Sequence, residues 1–434
     1  MFDRMRISKT LIFIIVSALI SVLLSSCSGN DEPEVLPDVG AEGYCLMYYC
    51  SGGDPAHDLS FMSAIESAAT VTNPKVSVTC IFKFSGKEEE EGAAHNGIRR
   101  YKGEGGNFTE DDTFIKPEDF DITDSKNLTE FIKWSAETFP NRKYILVLVG
   151  HGHTFSIDRD LPEVSSRATI TDGKKMMASS VVANGIKKSG VHLAAMIAHS
   201  CQQGSIEMLA EWEGLSDYLL GSPFSIPDVA HDYASLVSDL SKDIPLEESL
   251  KRTAQRTISL WKEYHDYGCF GEVIEVTRIN DLSSLWSSLH DTFDYMKLSV
   301  KDKSNCTDLP AIYGEEYGKG YLRALRAMTG KTDSVFEFLR PKLAIDLPDY
   351  LRNAFLYTGN IRLSSYVNQV QNEIDKVLVF HQQTNDKKDF VYNVYFGEAL
   401  ADETKLRRYQ NCRFDRMTGW SQLCKTLLEQ DSDK

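Results

Sequence analysis

Two short apolar runs constrain this chain more than any other feature. Lys143–Val149 (KYILVLV) and the run from Val191 to Ala198 (VHLAAMIA) are apolar at nearly every position. Runs of this length without polar alternation read as strands buried on both faces, the kind found in parallel sheets covered by helices. The first run leads into Gly150, His151, Gly152 and His153. The second leads into His199, Ser200, Cys201, Gln202, Gln203 and Gly204, and helical spacing follows from Ser205 to Glu213. Sheets of this class build their sites at the carboxyl ends of their strands. An imidazole and a thiol are thus delivered to the edge where chemistry is expected.

The remaining pattern supplies the sheet and its covers. Tyr44–Tyr49, Val76–Phe84, Tyr218–Leu220 and Phe270–Arg278 read as further strands. Helical spacing covers Asp58–Ala69, Asn127–Phe139 (stopped by Pro140), Met176–Ser189, Ala230–Leu240, Leu246–Tyr264 and Leu282–Val300. This alternation predicts an α/β fold with a mostly parallel central sheet between two helical layers. Ser85–Ser125, with the acidic run Glu88–Glu91, reads as a long solvated loop, and Thr154–Asp172 as a polar connection. Beyond residue 300 the character changes. Residues 318–376 are mostly helical, Val377–His381 and Phe390–Phe396 read as strands, and Met417–Leu428 as a closing helix. The expected organisation is a core over 43–300 and an α+β C-terminal extension over 301–434.

Residues 1–27 read as an export signal. Arg4, Arg6 and Lys9 precede an apolar run from Leu11 to Leu24, and the segment closes Leu24-Ser25-Ser26-Cys27. That ending resembles a bacterial lipobox, which implies lipidation of Cys27 and a chain held at the outer membrane, on its periplasmic face or at the cell surface. Residues 28–42, rich in Pro, Gly and acid, read as a flexible tether. The full chain carries a net charge of −16, and removal of residues 1–27 takes away three basic residues and Asp3, leaving −18. So acidic a protein is a poor partner for nucleic acid, and a protein or peptide substrate fits better. Besides Cys27, eight cysteines are scattered without disulfide or zinc spacing, and Cys45 and Cys80 sit in apolar surroundings expected of core residues.

A cysteine attacks as its thiolate and needs a base or a lowered pKa. Cys201, just before a helix start, is the candidate nucleophile. His151, 50 residues earlier, is the candidate base. Gly152 and Gly204 let backbone approach a substrate carbonyl, and the N–H groups of Gly152 and Cys201 are candidate oxyanion donors. His199, two residues from Cys201, is an alternative base. His151-Gly152-His153 offers metal-ligand types without a third partner in sequence, so no metal and no cofactor are expected.

These motifs resemble the clostripain-like cysteine peptidases, relatives of caspases and gingipains. That family shows a strand ending in His-Gly, then a strand ending Asp-x-Cys-x-x-Gly-x-x-Glu. Here stand His151-Gly152 and Cys201-Gln202-Gln203-Gly204-Ser205-Ile206-Glu207. Leu128-Thr129-Glu130-Phe131-Ile132 with Trp134, Asp217-Tyr218 with Gly221-Ser222-Pro223, and Trp420 look like further family segments. The resemblance implies a caspase-like three-layer sandwich, peptide-bond hydrolysis through a Cys201/His151 dyad, and, for some members, calcium. It also implies an acidic pocket for a basic P1 side chain, built on the Asp two residues before the cysteine. This chain has His199 there, and an imidazole supplies no fixed negative charge at neutral pH. His199, Ser222 and Asp228 are the pocket candidates, with Glu211, Glu213, Asp217 and Asp232 as further carboxylates that could compensate. Family members are often activated by cleavage after the His strand, which here points to Arg159 or Arg167. A different class of function remains open: a peptidase-fold surface lipoprotein that binds a protein or peptide without cutting it.

Overall fold

A computed structural model describes residues 42–86, 96–117, 119–152, 168–173, 175–224, 226–227, 231–242, 244–263, 272–301, 344–358, 360–384, 391–395 and 403–432. The signal segment with Cys27, nearly all of the tether, Glu88–Glu91, His153, Arg159, Arg167 and Asp228 lie outside the described residues. Among the described residues no helix is long and apolar enough to cross a membrane.

The apolar runs form the centre of a nine-stranded sheet. Its strands are β1 (Tyr44–Ser51), β2 (Val76–Lys83), β3 (Ile98–Glu104), β4 (Asn107–Glu110), β5 (Lys143–Val149), β8 (Leu193–His199), β9 (Ser216–Gly221), β10 (Val273–Arg278) and β12 (Leu378–Gln383). Their spatial order is β12-β10-β9-β8-β5-β1-β2-β3-β4. The five strands from β9 to β2 run parallel, and β10, β12, β3 and β4 add antiparallel edges. Along β5, Leu146 and Leu148 face one helical layer while Ile145, Val147 and Val149 face the other. Each layer buries its own apolar stripe, which is why these strands lack polar alternation.

One layer holds α1 (Pro55–Ala69), α5 (Tyr233–Ser241) and α6 (Leu246–Glu263). The other holds α2 (Ser125–Thr138), α3 (Ser179–Ser189), α4 (Ile206–Trp212) and α7 (Ser283–Lys301). The result is the expected three-layer α/β sandwich with a mostly parallel sheet. The caps are local: Asp54 accepts from the Ala56 and His57 N–H groups at the start of α1, and Ser205 accepts from the Met208 N–H at the start of α4.

Three elements depart from the sequence reading. The polar stretch after Ser85 contains β3 and β4, a charged edge whose Arg100 guanidinium pairs with the fully buried Asp111 side chain and stacks over Phe114 and Trp134. The start of the expected Met176 helix is instead β7 (Lys175–Ala178), in a hairpin with β6 (Ala168–Asp172). And the C-terminal part is woven into the core rather than appended to it. Its β12 pairs with β10. Its β11 (Ala344–Asp346), β13 (Asn393–Tyr395), α8 (Leu347–Thr358), α9 (Ile361–Val377), α10 (Glu403–Gln410), α11 (Arg413–Thr418) and α12 (Trp420–Ser432) pack on the α7 side. Glu207, buried on α4, ties this part down by accepting from the Tyr395 N–H at 2.7 Å and the Tyr409 hydroxyl at 3.0 Å.

Candidate active site

The two candidate residues follow the ends of neighbouring strands. β5 and β8 are parallel neighbours, with Val149 paired to His199. The Gly150 N–H donates to the His199 carbonyl at 3.3 Å, so the ladder continues past the strand ends. His151 and Cys201 each follow two residues after this last registered pair. Gly152 is pressed against the cysteine: a Cβ there would lie 2.1 Å from the Cys201 carbonyl oxygen, 2.4 Å from Ser200 Oγ and 2.8 Å from the Cys201 nitrogen. Only glycine fits that contact. The Gly152 N–H has no hydrogen-bond partner among the described residues.

The turn carrying Cys201 is braced from several sides. Ser200 Oγ donates to the Thr169 carbonyl at 2.8 Å, Thr169 Oγ1 to Gln203 Oε1 at 3.0 Å, and Gln203 Nε2 to the Cys201 carbonyl at 2.9 Å. Gln202 adopts a left-handed φ of 63° and donates its N–H to the Phe224 carbonyl at 2.7 Å. A non-glycine residue held there is strained, and such strain collects where a side chain must be aimed. Cys201 is partly exposed, whereas the other five described cysteines (Cys45, Cys50, Cys80, Cys412 and Cys424) are buried free thiols. Burial pushes Cys45 up to about 11, opposite to what a nucleophile needs.

The expected link between Cys201 and a helix start is looser than the sequence suggested. α4 begins at Ile206, five residues on. An N–H that does reach the sulfur comes from Ile226, at 3.4 Å. The loop holding Ile226 is fixed by the C-terminal part, since Asn393 Nδ2 donates to the Pro223 carbonyl. Sequence reasoning missed Ile226 because a backbone donor carries no side-chain signal.

It also missed the partners of the imidazole. His151 is half exposed, and its Nε2 lies 3.8 Å from Asp54 Oδ2. The His57 ring meets it edge to face with centroids 4.6 Å apart. Both partners sit at the start of α1, beyond the carboxyl end of β1, which is the other neighbour of β5. Burial works against the Asp54 charge, but the backbone and ring N–H groups of His57 hold its carboxyl below the usual range. Gly53, at φ 85°, lies under the ring, where a Cβ would come 2.7 Å from His151 Cδ2.

The pocket candidates part company. His199 is 1% exposed, packs edge-on against Phe61 and His231, and pairs through Nδ1 with the Tyr233 hydroxyl at 2.9 Å. Burial first, then the charges of His231 and His57, push its pKa well below the ordinary histidine value, so it stays neutral. A buried, neutral imidazole with Nδ1 on Tyr233 is a poor base for Cys201, and the alternative base is set aside. Ser222 is buried, and its hydroxyl accepts from the Phe224 N–H at 3.2 Å. The described carboxylates that could have compensated are engaged elsewhere. Glu211 accepts from the Arg413 N–H, Glu213 pairs with Arg413, Asp217 with His192, and Asp232 with Arg256.

Comparison with known proteins agrees with this architecture. The model of the clostripain family matches residues 56–410. An inactive zymogen C11 protease from Parabacteroides distasonis superposes with a TM-score of 0.61 at 15% identity, covering 88% of this chain and 99% of its own. A secreted C11 cysteine protease from Bacteroides thetaiotaomicron, in complex with an irreversible peptide inhibitor, gives 0.60 at 13% identity with the same coverages. At these identities the likeness is one of fold. No curated protein sequence matches the chain.

Proposed function

Since the chain belongs to the clostripain family, we propose that it is a cysteine endopeptidase working through Cys201 and His151. The observation that carries this is the β5–β8 register, with an imidazole and a partly exposed thiol each two residues past its last pair. His151 takes the thiol proton, and the Cys201 thiolate attacks the peptide carbonyl. The C–N bond then breaks, with His151 returning the proton to the leaving amine. The Gly152 and Cys201 N–H groups receive the oxyanion, and Gly152 is suited to this by its contact with Cys201 and its uncommitted N–H. Water, deprotonated by His151, hydrolyses the acyl-enzyme. No step draws on a cofactor or calcium.

The P1 residue is not basic. His199 stands where the family uses an acid and is buried and neutral, so it offers no fixed charge to a basic side chain. Self-cleavage after Arg159 or Arg167 conflicts with that preference and forms no part of the reading. The chain is exported and lipid-anchored through Cys27, in keeping with its N-terminal pattern and with the secreted relative from Bacteroides thetaiotaomicron. The same His199 also favours a second reading, a binding module that keeps the fold without turnover. An irreversible thiol-directed peptide probe separates the two. Labelling of the wild type that disappears in Cys201→Ala supports the peptidase; a chain that no probe in a varied peptide series labels refutes it.

A further inference from the structure

Asp54, His57 and His151 bring donor atoms together in a way the peptidase chemistry does not require. Asp54 Oδ2, His57 Nδ1 and His151 Nε2 all lie within 4.8 Å of one another. They come from two places in the chain, the start of α1 and the end of β5, joined because β1 and β5 are neighbours. We propose that these three side chains form a site for a divalent transition-metal ion of the zinc type, and that the bound ion withdraws His151 from Cys201 and switches the enzyme off. The second half rests on the peptidase reading above; the first does not.

The donor set selects the ion. Two imidazole nitrogens and one carboxylate oxygen suit zinc and its first-row neighbours, whereas calcium and magnesium prefer all-oxygen shells. The three donor atoms must shift by up to about 1.5 Å to sit around one ion. Nitrogen and oxygen ligands at ordinary zinc distances stand about 3.3 Å apart. The Asp54–His151 pair, at 3.8 Å, would close by about half an ångström. The Asp54–His57 pair is hydrogen-bonded, and the ion would enter between them, the Nδ1 proton passing to Nε2 of a neutral ring or to solvent from a protonated one. The two ring planes meet at 77°, with centroids 4.6 Å apart. The site is open: the Asp54, His151 and His57 side chains are 43%, 41% and 13% exposed, so solvent can complete the coordination. An ion held by His151 draws electron density from the ring and lowers its basicity, so His151 no longer takes the thiol proton.

The test uses the full chain stripped by chelator, with zinc alone as the titrant in calorimetry. Cys201→Ala removes the thiol as a competing ligand. His57→Ala removes one imidazole. Asp54→Asn removes the carboxylate charge while keeping an equally good helix cap. Wild type and Cys201→Ala are expected to bind one zinc with affinities within threefold of each other. His57→Ala and Asp54→Asn, each checked for a cooperative melt, are expected to bind at least tenfold more weakly. In parallel, zinc should slow probe labelling of Cys201 in the wild type and not in His57→Ala. Binding that vanishes in Cys201→Ala but survives in His57→Ala places the ion on the thiol and overturns the site. Binding as expected with unchanged labelling overturns the switch. A chain never labelled without zinc defeats the peptidase reading instead, and calorimetry still decides the site.

Discussion

The contact between Gly152 and Cys201 gives the sharpest mutational test. In Gly152→Ala the new Cβ would fall 2.1 Å from the Cys201 carbonyl oxygen and 2.8 Å from its nitrogen, and real Cβ atoms essentially never approach closer than 3.0 Å. Both obstacles are backbone, so no rotamer change relieves them. The His151–Gly152 segment and the Cys201 turn must part by about 1 Å, a misplacement that costs on the order of 100-fold when it separates reacting groups. That is about 2.7 kcal/mol on the barrier. The turn cannot simply follow, because Ser200 and Gln203 are hydrogen-bonded to Thr169 and Gln202 to Phe224. The overpacking cost to stability is about 1–3 kcal/mol, well short of unfolding a domain of this size. The expected variant is therefore folded, with a melting temperature a few degrees lower, and labels with the thiol-directed probe about 100-fold more slowly. A folded Gly152→Ala whose labelling rate stays within threefold of wild type would show that the spacing of His151 and Cys201 does not govern the chemistry.

Two further outcomes follow from the histidines beneath the site. His199→Asp restores the family's acid next to the Tyr233 hydroxyl; peptide-library profiling should show at least a tenfold gain for Arg or Lys at P1, with a lower melting temperature from the buried charge, and no gain would remove residue 199 from the pocket. His231, whose pKa burial lowers to about 3, sets an acid limit on the fold. Between pH 6.5 and 3 the unfolded chain binds a proton there and the folded chain does not, so stability falls as pH falls, by about 5 kcal/mol in all. His231→Gln should lower the slope of the denaturant-midpoint profile in that window, His199 supplying the remainder; an unchanged slope would mean that His231 titrates normally.

How legible each part was depended on which force set it. β5 and β8 could be read because strands buried on both faces must be apolar throughout, and short runs of that kind leading into turn residues fit little else. Cys201 and His151 followed because each ends such a strand. β3 and β4 could not be read. Their Arg99, Arg100 and Lys102 suit an exposed edge, and Asp111 and Glu110, which pair with two of those arginines, lie in stretches that look like loop. Lys175–Ala178 has helical composition, and only pairing with Ala168–Asp172 makes it a strand. Asp54 and His57 were hidden for a topological reason. The loop after β1 meets His151 only because β1 lies beside β5, although β2, β3 and β4 intervene in sequence. A capping Asp with a His three residues on, directly after a buried strand, was the available signal. It becomes informative once strand order is known.

The exchange of an acid for His199 can be weighed on the same physical terms. The position is 1% exposed and its side chain meets Tyr233, Phe61 and His231, with the Tyr233 hydroxyl as its hydrogen-bonding partner. A carboxylate held there would be a buried charge with one good donor, unstable until a cationic side chain arrives to neutralise it. The neutral imidazole keeps the Tyr233 contact and avoids that cost at all times. What it gives up is the charge that would distinguish Arg and Lys from other residues. Under the proposed function, discrimination without that charge rests on shape, where each buried methylene contributes only about 1 kcal/mol.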